Sequence, residues 1–173
     1  MKQKIKITML WKFFFWIIVW TLIIIPAFFI PLRLEGILLY ISVGIGFTLF
    51  TYSMLLVTIG GKTIARYGHK KKHETFWPDK FSRNGIFGCM RHPMHLGLTI
   101  YPVAVALASG YVLAIVASGW GVAAALWFIL VIEEKDTIEK YGEIYTEYMK
   151  EVPPFSLKWE CIKKELKIIT EED

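Results

Sequence analysis

The chain has 173 residues, of which 55% are hydrophobic and 16% aromatic, and it carries a formal net charge of +5. Its mean hydropathy is +0.46, and a positive value is rare among soluble domains, whose residues are about 45–50% apolar. With only two cysteines besides, this composition excludes an ordinary soluble globule, a disordered chain and a secreted disulfide scaffold.

Three stretches without Asp, Glu, Lys or Arg contain the apolar excess. They are residues 13–32, 36–61 and 94–132, which hold 20, 26 and 39 residues. A transmembrane helix needs about 20 predominantly apolar residues. The first stretch follows several lysines, as a signal peptide would. However, it is longer than the about 7–15 residues of a signal core, and no small-residue cleavage site follows it. We therefore predict a retained span there.

The third stretch is too long for one crossing of the membrane. As a helix, its 39 residues would extend about 58 Å at about 1.5 Å per residue, whereas the hydrocarbon core is about 30 Å thick. Ser109-Gly110, near its middle, is the expected turn. The prediction is an all-α integral membrane protein with about four transmembrane helices, five at most, and a cytoplasmic C-terminal helical cover. The four spans are 11–31, 36–59, 94–109 and 111–132.

The basic residues lie almost entirely on one side of this predicted topology. Of the 20 Lys and Arg residues, four lie before or at the very start of the first span, eight lie between the second and third, and seven follow the fourth, which leaves only Arg33 in a hairpin loop. The positive-inside rule then predicts that both termini are cytoplasmic. The Lys70–Lys72 cluster is interpreted as a signal for topology and anionic lipid, and no nucleic-acid partner is expected.

We divide the chain into two segments of one structural domain. Residues 1–92 comprise the N-terminal hairpin and the basic loop, and residues 93–173 comprise the second hairpin and the C-terminal segment. Because the basic residues mark the cytoplasmic side, polar chemistry is expected there.

A group of polar residues stands where the third span begins. Arg91, His92 and His95 lie at the start of the predicted helix, and Pro93 suits its first turn, where an N–H group would have no intrahelical partner. The helix start attracts anions, and Arg91 can hold a carboxylate bidentately. Gly97 allows a ligand or a second helix to approach closely. The alternative is an anchoring arginine with interfacial histidines.

Glu133 and Glu134 follow directly after the longest uncharged stretch. Two carboxylates at the C-terminal end of a helix are unfavourable, because the helix dipole is already negative there. Breaking a local rule without evident gain is typical of functional sites. We expect the pair to contact cationic or hydroxyl groups of a ligand, with a simple membrane-boundary charge as the alternative.

A second helical pattern follows the two glutamates. Apolar residues recur there at spacings of three and four, which indicates one apolar face. The residues of this face are Ile138, Tyr141, Tyr145, Tyr148 and Val152. Gly142 weakens the stretch as an independent helix, so we expect it to pack on the membrane surface or on a bound ligand. Residues 157–169 are predicted to form a surface amphipathic helix.

Metal and nucleotide sites are not predicted. His92 and His95 have no third ligand at a useful spacing, so the predicted metal content is none. The chain also contains no Walker loop and no Rossmann fingerprint.

Two separated motifs carry a resemblance to a known family. The segment Arg91-His92-Pro93-Met94-His95-Leu96-Gly97 resembles the R-H-P-x-Y-x-G motif of the isoprenylcysteine carboxyl methyltransferase family and its phospholipid methyltransferase relatives. Glu133-Glu134, followed by Tyr141-Gly142-Glu143, Tyr145 and Tyr148, is similar to that family's E-E … F-G-x-x-Y-x-x-Y pattern. Val152-Pro153 matches the V-P that closes it. The resemblance extends from residue 85 to about residue 155.

The resemblance implies a membrane-embedded methyltransferase that uses S-adenosylmethionine and releases S-adenosylhomocysteine. It places the cofactor at the cytoplasmic ends of the last spans, beneath the C-terminal segment. Carried over by position, the cofactor-binding residues are Phe87, Met90, His92, Pro93, Gly97, Glu133, Glu134, Tyr145 and Tyr148. The catalytic candidates are Arg91, which would orient a carboxylate acceptor, and His95. A thiol or amine acceptor must lose a proton, and His95 or His92 is then the available base.

The chain departs from the family pattern at four positions. His95 replaces the usual Tyr, Ile86 a common Pro, Thr137 a common Leu and Pro154 a common Arg. His95 changes the chemistry expected on the substrate side. Pro154 removes a charge that would contact substrate or lipid.

The methyl acceptor stays open at this point, as does the oligomeric state. The partners expected are the bilayer and a lipid-like or prenylated substrate, and the acceptor is a prenylcysteine carboxylate, a phospholipid amine or a small hydrophobic thiol. Two other function classes are retained. One is a membrane NADPH-dependent sterol or enone reductase, whose last spans resemble this family. The other is a non-catalytic scaffold that binds haem or a partner through His92 and His95.

Overall fold

The computed structural model describes residues 2–69, 78–160 and 162–163, with side chains from Trp11 onward. The helices are α1 (Lys2–Ile24), α2 (Pro26–Phe29), α3 (Gly36–Tyr67), α4 (Pro93–Ser109), α5 (Val112–Trp127), α6 (Glu134–Tyr141) and α7 (Glu143–Glu151). A 3-10 turn, Gly85–Gly88, precedes α4, and a π-helical segment, Phe128–Glu133, joins α5 to α6. The described residues form no strand, only an isolated bridge between Arg33 and Tyr111.

Three helices are long and apolar enough to cross a membrane among the described residues: Trp11–Phe29, Gly36–Tyr67 and Val112–Tyr141. The third predicted span, 94–109, corresponds to α4, which is apolar but has 17 residues and is therefore about 25 Å long. The predicted all-α membrane protein is confirmed. Two helices continue past the predicted span ends at 59 and 132, because charged residues end an apolar run without ending a helix.

Large apolar side chains cover the outside of these helices. Phe28, Phe29, Tyr40 and Trp120 are each more than three quarters exposed, at 79%, 80%, 76% and 79%. Contiguous exposure of this kind is unfavourable in water and suits contact with lipid, because all backbone hydrogen bonds of a helix are made internally. The surface is therefore that of an integral membrane protein.

The first of two compact units comprises residues 1–51 and 99–128. In it α1 packs against α5 around a core that contains Val19, Ile23 and Ala114. Gly121 permits this contact, since a Cβ atom there would lie 2.3 Å from Cδ1 of Ile23. Small residues at such crossings let membrane helices approach closely.

The turn between α4 and α5 belongs to the same unit. The predicted turn at Ser109-Gly110 is confirmed, since α4 ends at Ser109 and Gly110 has a φ of +70°. Arg33, the only basic residue expected in a hairpin loop, donates a hydrogen bond to the Ser109 carbonyl at 3.0 Å. Its guanidinium also lies 4.9 Å from the ring centroid of Tyr111. These contacts join the two loops of the unit.

The second unit comprises residues 52–98 and 129–173 and contains the predicted site residues. The second half of α3 packs against the start of α4 at Gly97, where a Cβ atom would lie 2.7 Å from Cγ2 of Val57 and 2.9 Å from the Ser53 carbonyl. The Ser53 hydroxyl donates to the Gly97 carbonyl at 2.8 Å. Between α6 and α7, Gly142 has a φ of +62°, so the predicted helical stretch is divided there.

Two predicted features lie wholly or partly outside the described residues. They are the Lys70–Lys72 cluster and, in the predicted tail helix, residues 161 and 164–169.

Candidate active site

Arg91, two residues before α4, contacts the elements on which the site is built. Its Nε and Nη2 atoms donate to Oε1 of Glu134 at 2.9 and 2.5 Å. Its Nη1 atom donates to the carbonyls of Met149 and Val152 at 3.2 and 2.6 Å. These bonds occupy four of the five guanidinium N–H groups. Only 7% of the Arg91 side chain and 9% of the Glu134 side chain are exposed.

A buried charge is unfavourable unless it is paired and hydrogen-bonded. The Arg91–Glu134 pair meets that condition. Through Glu134 and the carbonyls of Met149 and Val152, Arg91 connects the segment before α4 to the start of α6 and the end of α7. Glu134 is thus held by the protein itself, in an interaction between residues 43 positions apart in the sequence.

The chain after α7 runs beside the start of α4. We call residues 152–155 the strap. The backbone N–H of Arg91 donates to the Pro153 carbonyl at 3.0 Å, and that of His92 donates to the Pro154 carbonyl at 3.1 Å. These two donors near the helix start, where the sequence suggested an anionic ligand, are therefore bonded within the protein. The strap closes this side of the site.

His92 and His95 contact different glutamates. Nε2 of His92 is 3.2 Å from Oε1 of Glu134, and the His92 side chain is 7% exposed. Nε2 of His95 is 3.8 Å from Oε1 of Glu133, with the two side chains 28% and 16% exposed. The His95–Glu133 pair is therefore the more accessible of the two.

The π-helical segment ends at Glu133, directly before α6. A π-helical turn contains more residues than an α-helical turn, and such segments occur frequently at functional sites. Here two carboxylates adjacent in sequence have different partners, since Glu133 faces His95 while Glu134 binds Arg91 and His92.

Aromatic side chains of α7 pack against the loop that precedes the 3-10 turn. Tyr145 and Tyr148 are 3% and 2% exposed, and their rings pack with that of Phe81. The Tyr148 hydroxyl donates to the Phe87 carbonyl, which holds α7 to the 3-10 turn. The Arg83 guanidinium lies 5.3 Å from the centroid of the Tyr148 ring.

The Tyr145 hydroxyl is buried beside the Arg91 guanidinium, and it makes no hydrogen bond of good geometry to the residues that the structure describes. Burial, together with the nearby Glu134 charge, raises the pKa of Tyr145 to about 12. Burial and Tyr145 likewise raise the pKa of Tyr148. Both phenols are therefore neutral near pH 7. An unpaired buried hydroxyl is costly, and Tyr145 is thus suited to a polar contact with a bound molecule.

The other predicted cofactor residues differ in accessibility. Met90 and Pro93 are fully buried, while Phe87 is half-buried. Gly97 packs against α3, so the structure shows the helix contact, and its cofactor contact stays a prediction. In the described part of the chain, no group of three or more His, Cys, Asp or Glu side chains could hold a metal ion.

Several groups that complete this arrangement were not predicted from the sequence. They include the carbonyls of Met149, Val152, Pro153 and Pro154, together with the side chains of Phe81 and Arg83. Contacts to backbone carbonyls cannot be predicted from residue type, because every residue has a carbonyl group. Arg83 was counted only as one of the basic loop residues.

Comparison with known families gives one match. The sequence model of the phospholipid methyltransferase family matches residues 34–144, more than half of the chain. The comparisons with curated proteins and with solved structures give no significant match. The matched region includes Arg91, His95, Glu133 and Glu134 and ends just before Tyr145.

This match confirms the resemblance that the two motifs indicated. The chain therefore belongs to the phospholipid methyltransferase family, whose members are membrane methyltransferases for lipid acceptors.

Proposed function

We propose that the protein transfers a methyl group from S-adenosylmethionine to a lipid acceptor at the site around Arg91, His95, Glu133 and Glu134. Family membership supports methyl transfer. The observation that carries the location is the buried Arg91–Glu134 pair, with the accessible His95–Glu133 pair beside it. The two motifs behind the family resemblance thus make direct side-chain contact.

The residues of the site fit the chemistry of this cofactor. Its sulfonium and amino groups are cationic, which suits the carboxylate of Glu133. Its hydroxyl groups and ring nitrogens suit the Tyr145 hydroxyl, which is buried near Arg91 without a well-formed hydrogen bond among the described residues. Its flat adenine ring suits the half-buried ring of Phe87.

We propose a different, indirect part for several other residues. Glu134, His92 and Tyr148 make hydrogen bonds within the protein. They therefore hold the walls of the cofactor site in place in addition to any contact with the cofactor. Met90, Pro93 and Gly97 supply its packed walls.

The protein's contribution to methyl transfer is alignment and exclusion of water. When bound, S-adenosylmethionine supplies an electrophilic methyl group on a positively charged sulfur. The strap and the Arg91–Glu134 pair hold α7 beside the start of α4, which keeps the aromatic cover in place. Since four of its five guanidinium N–H groups are used, Arg91 is proposed as a positioning residue and not as the group that orients a carboxylate acceptor.

We propose that the site and both termini face the cytoplasm. The support is the distribution of basic residues, of which 19 of 20 lie on one side of the four-span topology.

Calorimetric titration of the purified protein in nanodiscs tests the cofactor. We expect S-adenosylhomocysteine to bind, and Glu133→Gln to weaken its binding by about tenfold or more, as expected when a charge-assisted hydrogen bond of about 1.5–3 kcal/mol is lost. Glu147→Gln is the matched control, because Glu147 lies on the outer face of α7, is 64% exposed and is paired with Lys150.

Two results would contradict the proposal. Binding of NADPH without binding of S-adenosylhomocysteine would indicate a reductase. A haem Soret band in the purified protein, with neither nucleotide bound, would indicate a scaffold.

A further inference from the structure

The chain after the strap presents two large apolar side chains at the surface. Leu157 is 76% exposed and Trp159 is 53% exposed, whereas Ile162, a few residues further on, is fully buried. The chain is therefore fixed to the protein at Ile162, while Leu157 and Trp159 are held outward. We call residues 156–160 and 162–163 the tail segment.

The strap sets the level at which the tail segment begins. Pro153 and Pro154 accept hydrogen bonds from the backbone N–H groups of Arg91 and His92, immediately before α4. The 17 residues of α4 include no Asp, Glu, Lys or Arg. At about 25 Å this helix is no longer than the hydrocarbon core of about 30 Å, so the polar residues just before it lie at the membrane boundary. The strap therefore lies at that boundary as well.

Leu157 and Trp159 are within reach of the interfacial layer of the bilayer. Leu157 follows Pro154 by three residues, which extend at most about 11 Å, and the two polar layers of a bilayer together add about 10–15 Å to its core. Tryptophan is enriched at this level in membrane proteins, because its ring is apolar and its N–H group reaches polar groups. Single exposed apolar residues need no explanation, but a leucine and a tryptophan at this level match the bilayer interface.

The neighbouring surface and charges suit the same partner. Leu130 and Val131 of the π-helical segment are 42% and 50% exposed, and they belong to a helix that is apolar enough to cross the membrane. The tail segment thus continues a surface that faces lipid. Its charged residues Lys158, Glu160 and Lys163 are exposed, with two positive charges and one negative. Lysines beside apolar side chains extend to lipid headgroups.

We propose that Leu157 and Trp159 insert into the interfacial layer of the bilayer and thereby hold the strap against the start of α4. The partner is the lipid surface on the side of the membrane where the site lies. The inference goes beyond the proposed function and does not depend on methyl transfer, since it concerns how the C-terminal cover is held in place.

Photocrosslinking tests the contact with lipid. The full-length protein carries p-benzoylphenylalanine in place of Trp159, Trp127 or Glu147, one at a time, in nanodiscs of phosphatidylcholine and phosphatidylglycerol with labelled acyl chains. Trp127 is the matched positive control, because it is 55% exposed on a membrane-spanning helix. Glu147 is the negative control, since its side chain is 64% exposed and paired with Lys150. We expect labelled lipid at position 159 as at position 127, and far less at position 147.

Hydrogen exchange tests whether the contact holds the strap. In the double variant Leu157→Ser, Trp159→Ser, the backbone amides of Arg91 and His92 should exchange faster by about tenfold or more, because loss of two large apolar side chains from lipid weakens the closed state. Glu147→Gln should exchange like the wild type at these amides.

Three results would overturn the inference. They are lipid label at position 159 no higher than at position 147, crosslinking of position 159 to protein in place of lipid, and unchanged exchange of Arg91 and His92 in the double variant. The first two use a single replacement and do not require the double variant to fold. If the wild type fails to bind S-adenosylhomocysteine while lipid label is found at position 159, the proposed function fails and this inference stands.

Discussion

Arg91 illustrates at the scale of one residue how the site is held. From the motif alone, Arg91 was predicted to bind an anionic group of a ligand, because an arginine just before a helix is expected to be accessible. In the structure its guanidinium is almost fully buried and binds Glu134 and two carbonyls. The sequence could predict that Arg91 and Glu134 meet, since a hairpin separates them. It could not predict the carbonyl contacts, which depend on the path of the strap.

The buried pair gives a prediction about stability. Arg91→Met should lower the free energy of unfolding by about 3–5 kcal/mol, because Glu134 would remain buried without its counter-charge. Thermal unfolding in detergent measures the change. Arg83→Met is the control, since Arg83 pairs with Glu151 where their side chains are 42% and 61% exposed, and pairs of that kind contribute about 0–1 kcal/mol.

A double variant makes this prediction sharper. Arg91→Met combined with Glu134→Met removes both charges, and it should be more stable than Arg91→Met alone. Equal destabilisation by Arg91→Met and Arg83→Met would contradict the structural role assigned to the Arg91–Glu134 pair.

At the scale of elements, helix ends and helix crossings decide where the functional groups lie. The apolar runs predicted the helices and the position of the hairpin turn. The helices are present, and the turn lies at Gly110 as predicted. The π-helical segment before Glu134 has no signal in hydrophobic periodicity, because it alters the register locally and leaves the apolar run unbroken. For that reason the separate partners of Glu133 and Glu134 were not predictable.

The crossing of α3 and α4 gives a prediction at this scale. Gly97→Ala should lower the unfolding temperature, because the new Cβ atom would lie under 3 Å from both Val57 and the Ser53 carbonyl, and overpacking typically costs about 1–3 kcal/mol. Gly61→Ala is the control. It lies on α3 with no heavy atom within 4 Å of a new Cβ, so the temperature should stay level or rise. A lower value for Gly61→Ala than for Gly97→Ala would contradict the packing described here.

At the scale of the whole molecule, the apolar surface and the family match define the class of protein. The all-α membrane fold could be predicted from composition, since long uncharged runs have few other physical solutions. The family could be predicted because two motifs, separated by the longest uncharged run, agree in order and spacing. The acceptor could not be predicted from the motifs, because His95 departs from the residue that the family usually has at this position.

The central claim is methyl transfer from S-adenosylmethionine to a lipid at this site. Its most direct test is incubation of the nanodisc-embedded protein with methyl-labelled S-adenosylmethionine and three acceptors, namely phosphatidylethanolamine, a farnesylcysteine analogue and a small hydrophobic thiol. We predict label in phosphatidylethanolamine, reduced by about tenfold or more in Glu133→Gln when S-adenosylmethionine is subsaturating and unchanged in Glu147→Gln. Absence of label from all three acceptors, with the folded protein shown to be intact, would contradict the account.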